Sequence, residues 1–194
     1  MSRADPGVDL LRHGAVEGGT RFRGQRDDPL TPAGWRQMRE AVESGGPWEV
    51  IVSSPLIRCK AFAEELAAER GISLSIDSRL AEIHFGEWEG RSYGELMLTS
   101  PLAVTRFFDD PVQYPPPGAE PMDVFRARVL AAQADLFSRG AEGRRVLAIT
   151  HGGVIRLMLC HVRGWPMQRL KDVEVGHASL HALSRVTEQA GAVR

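Results

Sequence analysis

Five short apolar runs, Val8 to Leu11, Val50 to Val52, Leu74 to Ile76, Val146 to Ile149 and Ala178 to Leu183, are separated by longer segments with helical spacing. The runs read as strands and the segments between them as helices. Thr31 followed by Pro32 is an N-cap and first helical position, opening a helix through Ser44. Ser54 and Pro55 repeat that start signal, and Cys59, Phe62, Ala63, Leu66 and Ala67 then form one core-facing stripe. Phe125, Val129, Ala132 and Leu136 form another. Strands alternating with helices predict an α/β chain with a largely parallel sheet covered on both faces. No repeat or linker divides the 194 residues, so one domain is expected. The densest breaker cluster, Pro111 to Pro121, reads as an extended loop, because successive prolines continue neither a helix nor a central strand. Such loops often overhang sites.

Ligands of such sheets bind beyond the carboxyl ends of the strands, which directs attention to the strand-to-helix junctions. The first strand ends in Leu11-Arg12-His13-Gly14, where a turn at the glycine would bring guanidinium and imidazole into one pocket. The fourth ends in Thr150-His151-Gly152-Gly153 and opens a helix whose free N–H groups favour an anion. At a third junction Arg58 falls in the first turn of a helix, against the helix dipole, a conflict that a bound anion would relieve. The segment from Leu80 to Gly90 mixes acids, aromatics and glycines without periodicity and reads as a structured loop. It offers Glu82, Glu87 and Glu89 as proton donors, and periodicity does not choose among them. Two histidines, two arginines and a carboxylic acid suit phosphoryl transfer to an imidazole.

Composition narrows the partners. The net charge is -1, and of 24 basic side chains only Lys60 and Lys171 are lysines, leaving 22 arginines against 25 acids. A near-neutral chain lacks the field that draws nucleic acid or an anionic membrane, so neither is expected as a partner. For most of the arginines the expectation is codon composition and no special role; Arg12 and Arg58 are the exceptions of interest. Cys59 and Cys160 lie in apolar helical patterns outside any C-x-x-C pair and read as buried thiols in a reducing compartment. Arg3, Asp5 and Asp9 precede any apolar run, which argues against a signal peptide and for a cytoplasmic location. The chain has no H-E-x-x-H, no Cys/His ligand spacing, no G-x-x-x-x-G-K-S/T and no G-x-S-x-G, so no metal or other cofactor is expected. A homodimer is compatible with the sequence but not required by it.

In order, Leu11-Arg12-His13-Gly14, Ser53-Ser54-Pro55-Leu56-Ile57-Arg58, Glu82 before Phe85-Gly86-Glu87-Trp88-Glu89-Gly90, and Thr150-His151-Gly152-Gly153 resemble the motifs of the histidine phosphatase, or phosphoglycerate mutase-like, superfamily. The resemblance runs from about residue 8 to 185. It implies a three-layer α/β/α sandwich and a metal-independent phosphomonoesterase acting on a small phosphorylated substrate. His13 would become phosphohistidine, Arg12, Arg58 and His151 would form the phosphate pocket with Gly152, and Glu82 would be the proton donor. Attack would then need neutral His13 and protonated Glu82, so the rate should fall on both sides of an optimum.

Phosphoglycerate mutases of this superfamily carry paired arginines after the acid loop, whereas Met97 to Pro121 holds only Arg106, which favours a phosphatase. Arg23, before Gly24, stands where the mutase pattern has a small hydroxyl residue, and would contact the phosphate or the substrate body. The run from Phe22 to Trp35, the block from His84 to Ser92 and the Val175-Gly176-His177 ending look most similar to alpha-ribazole phosphatases, which act in cobalamin biosynthesis. Pro117-Gly118-Ala119-Glu120-Pro121 departs from their usual P-G-G-E-S by losing the serine. The same residues would serve a broad-specificity sugar or nucleotide phosphatase, a phosphohistidine protein phosphatase or a mutase. A non-catalytic phosphate-binding module would have lost one of them.

Overall fold

The computed structural model describes residues 7–184; Arg3, Asp5 and residue 185 lie outside them. Strands β1 (Val8–Arg12), β2 (Val50–Ser53), β3 (Ser73–Ile76), β4 (Val146–Thr150) and β5 (Leu180–Ala182) form one sheet in the order β3-β2-β4-β1-β5. All neighbours are parallel except β5, which pairs antiparallel with β1. The α/β reading is correct, and all five expected runs contribute a strand.

Alternation along the strands separates two cores. Val8, Leu10, Val50, Val52, Val146 and Ala148 point to one face, where they meet α5 (Met122–Ala141) and α6 (Gly152–Val162). Leu11, Ile51, Leu147 and Ile149 point to the other, against α1 (Pro32–Glu43) and α2 (Ile57–Arg70). A strand covered on both faces reads as a near-continuous apolar run, and β4 is buried throughout, its one polar residue, Thr150, donating to Leu80 O at 2.8 Å. Thr31 caps α1 as expected, its hydroxyl accepting from the Gly34 N–H at 2.9 Å.

Other starts differ. Ser54 and Pro55 do not open α2, which begins at Ile57 after Leu56 as its uncapped N-cap; the Ser54 hydroxyl instead meets His151 at 2.7 Å and accepts the Leu56 N–H at 3.3 Å. Two short helices, α3 (Tyr93–Thr99) and α4 (Pro101–Asp109), fill a stretch with no such expectation. They bury Leu96, Val104 and Phe107 with Trp88 in a third, smaller cluster. The 111–121 segment is an irregular loop, as expected, and it docks on the acid segment through Glu87 N–H to Pro117 O and Glu120 N–H to His84 O, both 2.9 Å. Among the described residues, no helix is long and apolar enough to cross a membrane.

Candidate active site

Strand register brings the two histidines together. Arg12 of β1 pairs with Thr150 of β4, so His13 and His151 leave adjacent strands side by side, with ring centroids 5.3 Å apart. Both are buried. His13 Nδ1 lies 2.8 Å from the carbonyl oxygen of Gly14, which can only accept, so Nδ1 carries the proton and Nε2 keeps its lone pair. Burial, reinforced by the Arg58 charge, holds the His13 pKa well below the ordinary imidazole value. The same two causes depress His151. The residue following His13 must be glycine for a reason other than a turn. Gly14 does not have a positive φ, but a Cβ there would sit 2.3 Å from the Gly34 backbone oxygen, where the start of α1 packs against the strand end.

Arg58 is 1% exposed and donates from Nε to His151 Nδ1 at 3.2 Å, from Nη1 to Arg26 O and from Nη2 to Gly24 O, both 2.7 Å. His151 therefore accepts at Nδ1 and donates from Nε2 to Ser54 Oγ at 2.7 Å. The expected dipole conflict is met from within the protein, since Asp27 Oδ1 accepts the Ile57 N–H at the start of α2 at 2.6 Å. Gly24, at φ +54°, has no room for a Cβ, which would fall 2.0 Å from Glu89 Oε1. Arg12 donates from Nη1 to Val175 O at 2.7 Å, but its buried Nε has no hydrogen-bond partner. An orphaned cationic donor beside the start of α6 is a place for an anion. Burial lowers the Arg12 pKa, with Glu82 opposing and Arg156 and Arg58 reinforcing the shift.

Of the three candidate acids, Glu82 reaches this centre. Its Oε2 accepts the Gly153 N–H at 3.0 Å and its Oε1 accepts the Ile83 N–H at 3.0 Å. A Cβ on Gly153 would stand 2.4 Å from Glu82 Oε1, so the glycine pair lets a carboxylate onto the start of α6. Glu87 is exposed, and Glu89 accepts the Gln25 and Phe85 N–H groups as part of the loop's own framework. Arg128, which the sequence did not single out, donates to the carbonyls of Arg79, Ala81 and Glu82 while pairing with Glu120, and so ties the acid segment to α5. Arg23 is buried, but its Nη2 donates to the carbonyls of Glu17 and Gly19 and its Nη1 pairs with Asp28 at 3.3 Å. It props the 16–19 loop.

A cavity of about 300 Å³ opens on the Glu82 side, between Ile83 and Gly153. Phe22, Phe85, Phe107, Phe108, Met122 and Phe125 give it a largely aromatic wall, with Arg156 and Lys171 also in its lining. Another cavity of about 320 Å³ lies near β3, beside Asp77, Arg79 and Arg139; neither cavity is lined by the strand-end histidines, and only the aromatic one is lined by Ile83 and Gly153, whose N–H groups donate to Glu82.

The model of the histidine phosphatase superfamily, branch 1, matches residues 8–194. A glucosyl-3-phosphoglycerate phosphatase of Mycolicibacterium vanbaalenii is 32% identical over 168 residues, covering 81% of this chain and 74% of that one. A putative phosphoserine phosphatase 2 of Hydrogenobacter thermophilus is 27% identical, covering 88% and 85%. Among solved structures, a mycobacterial glucosyl-3-phosphoglycerate phosphatase complexed with VO3 superposes with a TM-score of 0.80 at 29% identity, covering 89% of this chain and 88% of that one. An alpha-ribazole phosphatase from Shigella flexneri has a TM-score of 0.76 at 23% identity over 89% of this chain and 87% of that one, which speaks for the fold alone. The narrower resemblance to alpha-ribazole phosphatases is thus not singled out by the comparisons. Similarity on this scale, along nearly the whole length, means that the chain belongs to branch 1 of the histidine phosphatase superfamily.

Proposed function

We propose that this phosphatase works through a phosphohistidine on His13 and that its substrate is alpha-ribazole 5'-phosphate or the phosphorylated corrinoid that contains it. His13 Nε2 attacks phosphorus, the P–O ester bond breaks, and the Glu82 carboxyl gives its proton to the departing oxygen. Water then attacks the phosphohistidine, Glu82 takes up the water's proton, and inorganic phosphate and free His13 are released. Arg12, Arg58, His151 and Gly152 surround the phosphoryl oxygens, while Arg23 and Gly24 shape the flanking loop. The observation that carries this reading is the pairing of a buried His13 with a free Nε2 lone pair and a buried Arg12 Nε that lacks a partner. Charge on the equatorial oxygens is met by guanidinium groups, so no step asks for a metal.

The aromatic cavity supports the substrate reading, because a leaving alcohol protonated by Glu82 departs toward it and a flat heteroaromatic base suits a wall of aromatic rings. The identity to glucosyl-3-phosphoglycerate phosphatases favours a second substrate, whose carboxylate would meet Arg156 or Lys171. Steady-state turnover of alpha-ribazole 5'-phosphate, glucosyl-3-phosphoglycerate and phosphoserine, with and without EDTA, decides between them. The proposal expects the ribazole ester to lead by at least about tenfold in kcat/KM, equivalent to roughly 1.4 kcal/mol, with EDTA without effect. Equal turnover, or a lead for either other ester, overturns the substrate assignment.

A further inference from the structure

The segment after the aromatic cavity is sewn to the strand end that carries His13. Val175 O accepts from Arg12 Nη1 at 2.7 Å, the Ala178 N–H donates to His13 O at 3.2 Å, and the Arg12 N–H donates to Ser179 O at 3.1 Å. Ser179 closes the turn, donating from N and Oγ to Gly176 O at 3.2 and 2.7 Å. Within it Ala178 has φ +53°, and among the described residues no other non-glycine has a positive φ. Backbone strain of this kind persists only where the surroundings enforce it, and it collects at functional sites.

What the turn delivers is the ring of His177. Its centroid lies 5.8 Å from that of His13, so the nucleophile stands next to an imidazole from β4 on one hand and one from this turn on the other. The two neighbours are not equivalent. His151 is buried and both of its nitrogens are committed, to Arg58 and Ser54. His177 is exposed and has no hydrogen-bond or ion-pair partner among the described residues. Partial burial and the nearby Arg12 and Arg23 charges lower its pKa, so the ring stands there neutral, with one N–H to give. A donor with no partner among the described residues, within the electrostatic reach of Arg12 and Arg23 and 5.8 Å from the His13 ring, is available to an anion held at His13.

We propose that His177 is a further catalytic residue, donating a hydrogen bond to a non-bridging oxygen of the phosphoryl group carried by His13. The proposal rests on the phosphohistidine reading for its catalytic part and on the site geometry alone for its binding part. Two variants separate the contact from the shape of the ring. His177→Phe keeps a ring beside His13 and removes the donor, whereas His177→Gln keeps a donor. Because the ring is exposed, both variants should melt with the parent.

Inorganic phosphate is the probe, titrated by calorimetry, alongside kcat/KM for p-nitrophenyl phosphate. Loss of a hydrogen bond to a charged group predicts that His177→Phe weakens phosphate binding and lowers kcat/KM by about 10- to 100-fold. His177→Gln should recover most of both. Phosphate affinity in His177→Phe within twofold of the parent overturns the proposal, as does a His177→Gln variant no better than His177→Phe. If the parent forms no acid-labile phosphoprotein, the phosphohistidine reading fails, and the phosphate titration still decides whether His177 makes the contact.

Discussion

The two sides of the site are built on different physical principles. On the phosphate side, His13, Arg58 and His151 are buried at the ends of strands and at the start of α2, and hydrogen bonds to carbonyls, to Ser54 and to each other fix their orientation. On the leaving-group side, Phe22, Phe85, Phe107 and Phe108 pack edge-on or tilted at centroid distances of 5.3 to 6.4 Å, with Phe108 and Tyr93 partly open to solvent. Directional bonds in a dry setting specify one charge in one place. Aromatic packing specifies a shape and tolerates change. Under the proposed function, the contrast assigns the chemistry to the strand ends and substrate choice to the loops and α4.

Removing the nucleophile should have the largest effect. His13→Ala is expected to lower turnover by on the order of 10⁴-fold or more and to abolish acid-labile labelling by a phosphorylated substrate. A variant that still labels would break the assignment of roles on the phosphate side.

Glu82→Gln tests the boundary between the two sides. The expected loss is about 10²- to 10⁴-fold for an alkyl phosphate, and much less for p-nitrophenyl phosphate, whose leaving group needs no proton. Equal losses for both esters would remove Glu82 as the proton donor and leave it a structural anchor on the Gly153 N–H.

Acid should undermine the phosphate side first. His13 and His151 are both held below the ordinary imidazole pKa, by burial first and then by Arg58. The unfolded chain therefore binds more protons than the folded one as pH falls below about 6.5. Stability contributed by the neutral rings is fully present above that pH and declines below it, by at most about 1.4 kcal/mol per pH unit for each histidine. Urea midpoints at pH 7.5 and 5.5 would show the loss, and His13→Phe should reduce it. An unchanged midpoint contradicts the buried, neutral state.

The smallest change is expected at Phe108, which is 41% exposed. Phe108→Ala should raise KM for an aromatic-bodied ester by about threefold to tenfold, in line with roughly 0.5–1.5 kcal/mol for an aromatic contact, with kcat and melting temperature nearly unchanged. A matched loss for glycerol phosphate would mean that the rings support the fold and do not select the substrate.

Where local pattern and tertiary environment agree, the sequence was readable. Val146 to Ile149 could be seen as a strand because burial on both faces demands an unbroken apolar run, and the Arg12-His13-Gly14 and Thr150-His151-Gly152-Gly153 junctions stand where parallel strands present ligands. Helices α3 and α4 were not legible: they have 7 and 9 residues, too few for a helical period to stand out, and they gain stability by covering Trp88. Arg23 shows what sequence does not state for single side chains: its Nη2 donates to the carbonyls of Glu17 and Gly19, residues whose approach only the tertiary structure shows.

The sequence by itself determined the alternation of strands with longer helices and the presence of two histidines at strand ends, because these depend on periodicity and on residue types at junctions; its motifs resembled the family. Only the tertiary structure decided which nitrogen of His13 is free, that Gly14 is required by Gly34, and that His177 stands beside His13. The Gly14 and His177 contacts join residues far apart in the chain, and the His13 tautomer depends on how the backbone turns the neighbouring Gly14 carbonyl; neither leaves a mark in local sequence.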